Sequence, residues 1–274
     1  MLAEIAGVVL FAAQTITEQT PEQRAVGYLA REVPRWSKEN GCFSCHNNGD
    51  GARALYAASQ RGRPVPDLAL ADTTRWLIEP GKWDNNRGNP GFSDKKLARI
   101  QFAAALTQAC EAGAVRERRA LVEAAASLLP YQEADGSWLV DTGSVGSPAT
   151  YGTSLATYMA RLTLDKADAA RFAEPISRAD RWFAANKPHS MLDAAAALLS
   201  LPRSTLVKER SLDFILPAQS SDGGWGPHPL APAEPFDTAV VLLALRGINE
   251  PNRTGGAIAR GRSFLMRRQQ PAGG

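Results

Sequence analysis

Cys42, Cys45 and His46 stand together in "NGCFSCHNNGDG", residues 40–51 of a 274-residue chain. Cys-x-x-Cys-His is the pattern that attaches haem c, with two thioethers to the porphyrin vinyl groups and the next imidazole on iron. The cysteines are three residues apart, so one helical turn would set both thiols on one side. Haem attachment at Cys42 and Cys45, with His46 as axial ligand, is the first expectation. Met159, His189 and Met191 are the candidates for the sixth iron position. Three other readings stay open: zinc on Cys42, Cys45 and His46 with a fourth ligand such as Cys110, a redox dithiol or disulfide, and a structural thiol pair. Cys110, in "LTQACEAG", otherwise reads as a small buried hydrophobe.

The elements that must hold this loop are repeated helix pairs. "LLPYQEADGSW" carries Leu128, Gln132, Gly136 and Trp138. "ILPAQSSDGGW" carries Ile215, Gln219, Gly223 and Trp225 at the same spacing. "LMRRQQPAGG" repeats Leu265, Gln269 and Gly273, and the given sequence then stops, as though inside a repeat. Weaker copies are anchored on Leu29, Leu77 and Phe183. Each unit reads as helix, turn-rich loop, helix. One such pair cannot bury its own apolar face, so neighbours must supply the other side. The second helix of each unit is the more apolar. Ala239 to Leu245 is apolar without a break, which requires cover on all sides, and Asp237 reads as its N-cap. Pro130 and Pro217 interrupt the helices before the motif glutamines. In the first unit, Cys-x-x-Cys-His occupies the loop that elsewhere carries the Gln and Trp motif.

Composition agrees with helices. Apolar residues are 44 % of the chain, and β-branched runs are rare. The net charge of +3 is scattered, which argues against nucleic acid. No apolar run is long enough to span a membrane. Residues 1–18 include "IAGVVLFAAQT", which reads either as a signal-peptide apolar region without a basic leader or as a first helix packing on the domain. Haem c attachment would place the chain in the periplasm or otherwise outside the cytoplasm. Without it, a cytoplasmic protein is the alternative. Residues 19–274 then form the folded repeat domain.

The Gln-x-x-x-Gly-x-Trp segments resemble the QW repeats of squalene–hopene cyclases and their relatives, and "DGSWLVDTGSVGSPATYGTSLATYMA" resembles one whole cyclase repeat. The resemblance implies an all-α fold, an α/α toroid of about five helix pairs and a partial sixth. It also implies a stabilising role for Gln132 with Trp138 and for Gln219 with Trp225. Catalysis does not carry over. Those cyclases protonate their substrate with Asp-x-Asp-Asp-Thr, and here "EPFDT" puts Glu234 and Asp237 on the outer carboxylates and Phe236 in the acid's place. Glu234 and Asp237 are therefore only weak catalytic candidates. Protein prenyltransferase β subunits share the toroid and bind zinc, but no spacing joins Cys110 to His189 or His228. "CFSCHN" also resembles the Cys-x-Ser-Cys-His turn of a class of bacterial toroid proteins. Three functions follow as expectations: an exported haem c protein with a redox partner, a cyclase-like enzyme on an isoprenoid, and a haem-free module binding an apolar ligand or protein. Exposed His228 and interlayer packing of Trp36, Trp76, Trp83 and Trp182 are the remaining expectations.

Overall fold

A computed structural model of the chain describes residues 19–86, 95–140 and 151–274. Among these residues every regular element is helical. In chain order they are α1 (Pro21–Asn40), α2 (Ala52–Gln60), α3 (Asp67–Leu77), α4 (Lys95–Glu111), α5 (Arg119–Leu128) and α6 (Gly152–Asp168). Then come α7 (Ala173–Ala185), α8 (Met191–Ser200), α9 (Thr205–Ile215), α10 (Pro235–Arg246) and α11 (Pro251–Arg268). A π-helical turn, Cys45–Gly51, runs directly into α2, and a 3-10 turn spans Pro80–Asn85.

The helices form two layers. α2, α4, α6, α8 and α10 pack side by side in that order as the inner layer. Their outer partners are α1, α3, α5, α7, α9 and α11. The sequence dictates which helix goes inside. α8 reads MLDAAAALLS and buries Met191, Ala194 to Leu198 and Ser200. α7 reads AEPISRADRWFAA and buries only Ile176, Ala179 and Phe183, a narrow stripe with charges on its other side. Small alanines let the inner helices approach closely, and Leu55, Leu106, Leu155 and Leu198 fill the space between them.

Helix ends follow local chemistry. Thr20 and Gln23 form a reciprocal capping box at α1, and Ser190 and Asp193 form one at α8. Asp237 is not a cap. α10 begins at Pro235 behind Glu234, so Asp237 lies inside its first turn. The proline fixes the start two residues early.

The tryptophans divide. Trp83 is buried, and Trp76 and Trp182 are half-buried. Trp36 is 38 % exposed, so it does not pack between layers. No helix among the described residues is long and apolar enough to cross a membrane. The segment "IAGVVLFAAQT" and the Asp141–Thr150 part of the cyclase-like repeat lie outside the described residues.

Candidate functional site

Three seams hold the layers in register, and each is built on a motif glutamine. Gln132 Nε2 donates to the Gly136 carbonyl at 3.0 Å and to the Pro175 carbonyl of α7 at 2.8 Å. Arg178 of α7 donates back to the Gln132 oxygen. Gln219 does the same with Gly223, with Ala257 of α11 and with Arg260. Gln269 does the same with Gly273, with Pro21 of α1 and with Arg24. The last helix is thereby latched to the first, and the outer layer closes into a ring. The glycines are required. Gly136, Gly223 and Gly273 have φ of +99°, +92° and +106°. Each lies so close to a carbonyl of the facing helix that a Cβ would collide with it.

Trp138 and Trp225 are fully buried beneath these seams. Their indoles donate to the carbonyls of Leu128 and Ile215 at 2.9 and 2.8 Å, closing the ends of α5 and α9. Thr157 and Thr238 hydroxyls accept from the two Trp backbone amides, tying each loop to its inner helix.

The cysteine loop is held by different chemistry. Ser44 accepts from the amides of His46 and Asn47 and starts the π-helical turn. Asn48 is fully buried. It accepts from the Ser44 amide and donates to the Val33 carbonyl at 3.1 Å and to Thr73 Oγ1 at 2.9 Å. Asn86 grips Phe43 from the other side, accepting from its amide and donating to its carbonyl. The Phe43 ring stacks on Trp76 with centroids 4.7 Å apart.

Cys42 and Cys45 therefore do not share a helical turn. Cys45 opens the π-helical turn, whereas Cys42 precedes it across extended Ser44, with φ −84° and ψ 136°. The N-cap at Ser44 and the Asn86 clamp impose this. Neither cysteine is in a disulfide, both are half-buried, and His46 is exposed. The three residue types of a haem c site thus stand on one short loop, with His46 exposed and Cys45 packed against the edge of the core.

The expected sixth ligands are dispersed. Met159 is buried, and its sulfur accepts from Arg53 at 2.9 Å and from the Tyr151 hydroxyl. Met191 is fully buried in the first turn of α8, not outward-facing, because the Ser190 cap turns the helix inward there. His189 is exposed, and its carbonyl lies 3.1 Å from His228 Nδ1. His228 is exposed, as its proline-rich surroundings imply. Cys110 is half-buried, and burial pushes its thiol pKa up. Among the described residues no three His, Cys, Asp or Glu side chains gather as a metal site, so Cys110 does not join Cys42, Cys45 and His46, nor His189 and His228, in a zinc cluster.

Where the π-helical turn meets α2, a polar group sits among apolar inner helices. Gln101 of α4 donates to Asp50 at 2.5 Å, and the Arg53 guanidinium lies 3.7 Å from the other Asp50 oxygen. Desolvation opposes the Arg53 charge, but Asp50 and the Tyr151 and Tyr158 rings outweigh it and hold its pKa above the ordinary value. Burial drives the Tyr151 phenol well above the usual range, with the Asp50 charge adding to it. Sequence reasoning missed this group. Its signal was a charged pair three residues apart, Asp50 and Arg53, across the junction of the π-helical turn and α2.

The second polar locus is the start of α10. Asp237 is 3 % exposed, and one of its carboxylate oxygens has no hydrogen-bond partner. Burial, then the charge of neighbouring Glu234, pushes its pKa up. A buried carboxyl at the head of an inner helix that holds its proton more tightly than usual is a proton donor in kind. Phe236 beside it is 38 % exposed.

No protein-family model matches the chain. Two curated proteins are similar to it. Drimenyl diphosphate synthase of Streptomyces showdoensis is 29 % identical over 174 residues, which is 58 % of this chain and 32 % of that protein. Drimenyl diphosphate synthase of Streptantibioticus cattleyicolor is 29 % identical over 184 residues, 60 % of this chain and 33 % of that protein. The chain thus aligns with about a third of the length of these curated relatives, and the likeness is to a terpenoid-cyclase-type fold.

Proposed function

We propose that the chain acts on an isoprenoid as a terpenoid-cyclase-type toroid, with Asp237 as the proton donor. The observation that carries this reading is the state of Asp237: buried, incompletely hydrogen-bonded and shifted toward its neutral form at the head of α10. The similarity to two proteins named drimenyl diphosphate synthase supports it.

In this chemistry the Asp237 O–H adds its proton to one carbon of a terminal alkene. The adjacent carbon becomes cationic and is attacked by the next double bond, which closes a ring. The final cation loses a proton to water and becomes an alkene, and the Asp237 carboxylate regains one proton from solvent, so the cyclisation is a net isomerisation that consumes no reductant or oxidant. Burial, and then the charge of Glu234, raises the Asp237 pKa, while Phe236 stands in the acid's usual position. Catalysis of this kind depends on an acid already placed and desolvated before the alkene arrives. Incubation of the purified chain with squalene and, separately, farnesyl diphosphate, followed by mass spectrometry of the products, tests it. A cyclised product absent from Asp237→Asn supports the reading, and no cyclised product from either substrate sinks it.

A second reading is favoured by one observation. Cys42, Cys45 and His46 stand within five residues on one loop, with His46 exposed, the residue set that a covalent haem c takes, together with an exported location and a redox partner. A Soret band that survives denaturation, after expression with a haem-maturation system, is its test.

A further inference from the structure

The polar group where the π-helical turn meets α2 faces the inside of the ring. α2 and α6 lie on either side of α4 in the inner layer, and the outer helices take the convex side. Arg53 of α2 nevertheless reaches Met159 of α6, so it crosses the concave side of α4. Its side chain is 30 % exposed, and what it is exposed to is the interior.

The donors of this group are poorly matched. Arg53 Nη1 donates to the Met159 sulfur at 2.9 Å, and the Tyr151 hydroxyl donates to the same sulfur. A thioether accepts weakly, and an unbranched methionine changes rotamer readily. Two strong donors thus converge on a soft, displaceable acceptor. The acceptors are poorly matched too. Asp50 Oδ1 and Gln101 Oε1 are buried without a hydrogen-bond partner, and an Arg53 nitrogen stands off from Asp50 Oδ1 at 3.7 Å. Unmatched donors and acceptors side by side are the mark of a place for a polar ligand atom.

Charge says which kind of atom fits. Arg53 is offset by Asp50 beside it. The other cations that act on the neighbouring Tyr158 phenol are Arg161 and Lys166. Asp180 holds Arg161 at 2.7 Å, and Glu111 holds Lys166 at 2.6 Å. Each of these positive charges carries its own carboxylate, so none is spare for a phosphate. A hydroxyl matches what remains, because its oxygen accepts from Arg53 while its hydrogen goes to Asp50. A carbonyl or ether oxygen only accepts, and would leave Asp50 unmatched.

We propose that Arg53, Tyr151 and Asp50 clasp the hydroxyl of a prenyl alcohol inside the ring, with Met159 occupying the two donors until the alcohol displaces it. The inference rests on the isoprenoid reading above and narrows it to a chain with a neutral oxygen head.

The test measures binding by calorimetry to the full chain carrying Asp237→Asn, so that turnover consumes no ligand. The probes are farnesol, farnesene (the same chain without oxygen) and farnesyl diphosphate. Farnesol should bind more tightly than either. Arg53→Met and Tyr151→Phe should each weaken farnesol about tenfold and leave farnesene unchanged. Asp50→Asn, which frees the Arg53 charge, should shift the preference toward farnesyl diphosphate. A further variant covers poor folding of these. Met159→Leu keeps the volume, removes the competing sulfur and should tighten farnesol binding. Farnesyl diphosphate bound more tightly than farnesol would make this an anion site and overturn the proposal. Farnesol binding indifferent to Arg53 and Tyr151, equal losses for farnesene, or weaker farnesol binding by Met159→Leu would overturn it as well. Farnesol clasped by a chain that yields no cyclised product would sink the cyclisation alone. Cyclised product from a chain without the clasp would sink the clasp alone.

Discussion

Arg24 donates to the Gln269 side-chain oxygen across 3.0 Å, joining the first helix to the last. The same arginine-to-glutamine bond joins Arg178 to Gln132 and Arg260 to Gln219. If the three seams are equivalent, Arg24→Ala and Arg260→Ala should cost similar amounts, each about 1 kcal/mol for a partly exposed hydrogen bond. Thermal unfolding of the two variants checks this. A neutral Arg24→Ala beside a costly Arg260→Ala would show that the ring is not latched in solution.

Gly136 predicts a larger loss. Its φ of +99° strains any other residue, and a Cβ there would meet the Arg178 carbonyl. Gly136→Ala should destabilise by about 3 kcal/mol, from left-handed strain of about 1–2 kcal/mol plus the clash. Denaturant midpoints measure it. Gly113→Ala, with a similarly positive φ but open space around it, should lose only the strain.

Asp237 ties function to pH. Its folded pKa is raised, so the folded state holds this proton more tightly than the unfolded chain does. The stabilising contribution is full below the ordinary carboxylate range. It is lost as pH rises through that range to the raised folded pKa. Asp237→Asn should remove this pH dependence, raise Tm at neutral pH relative to the unaltered chain, and abolish cyclised product. Tm and product yield across acid to neutral pH check the sign. A variant less stable than the parent at neutral pH would contradict the assigned shift.

Asn48 holds the cysteine loop from within. Asn48→Ala would leave the Ser44 amide and the Val33 carbonyl without their partner in a buried site. A loss of about 2–3 kcal/mol is expected. Alkylation of Cys42 in the native protein should quicken as the loop loosens. Unchanged alkylation would place the control of the loop in Asn86 and the Phe43–Trp76 stack instead.

The repeat was readable because its parts are local. Gln132 and Gly136 are four residues apart, and their spacing recurs at Gln219 and Gln269. The arginines that complete each seam were not read, although Pro175 to Arg178 and Pro21 to Arg24 have one spacing. They lie on the facing outer helix, more than forty residues away in the first two seams and 245 away in the third. Asn48 escaped for the same reason, since its value comes from Ser44, Val33 and Thr73, which only the fold brings together. The pair Cys42 and Cys45 was over-read. Their spacing suits one helical turn, but Ser44 begins the turn only after Cys42. At α10 the carboxylates were found, but burial of Asp237 depends on packing that no short motif encodes.

The latch at Arg24 closes a loop of 245 residues, whereas the Gln219 seam closes one of 41. Loop-closure entropy makes the longer one costlier by about 1.6 kcal/mol for the same bonds. The ring should therefore breathe first at this clasp, with amides near Gly273 exchanging sooner than those near Gly223. It also leaves Pro21 beside Gly273, so a short covalent link between these two positions would turn the costliest closure into the cheapest.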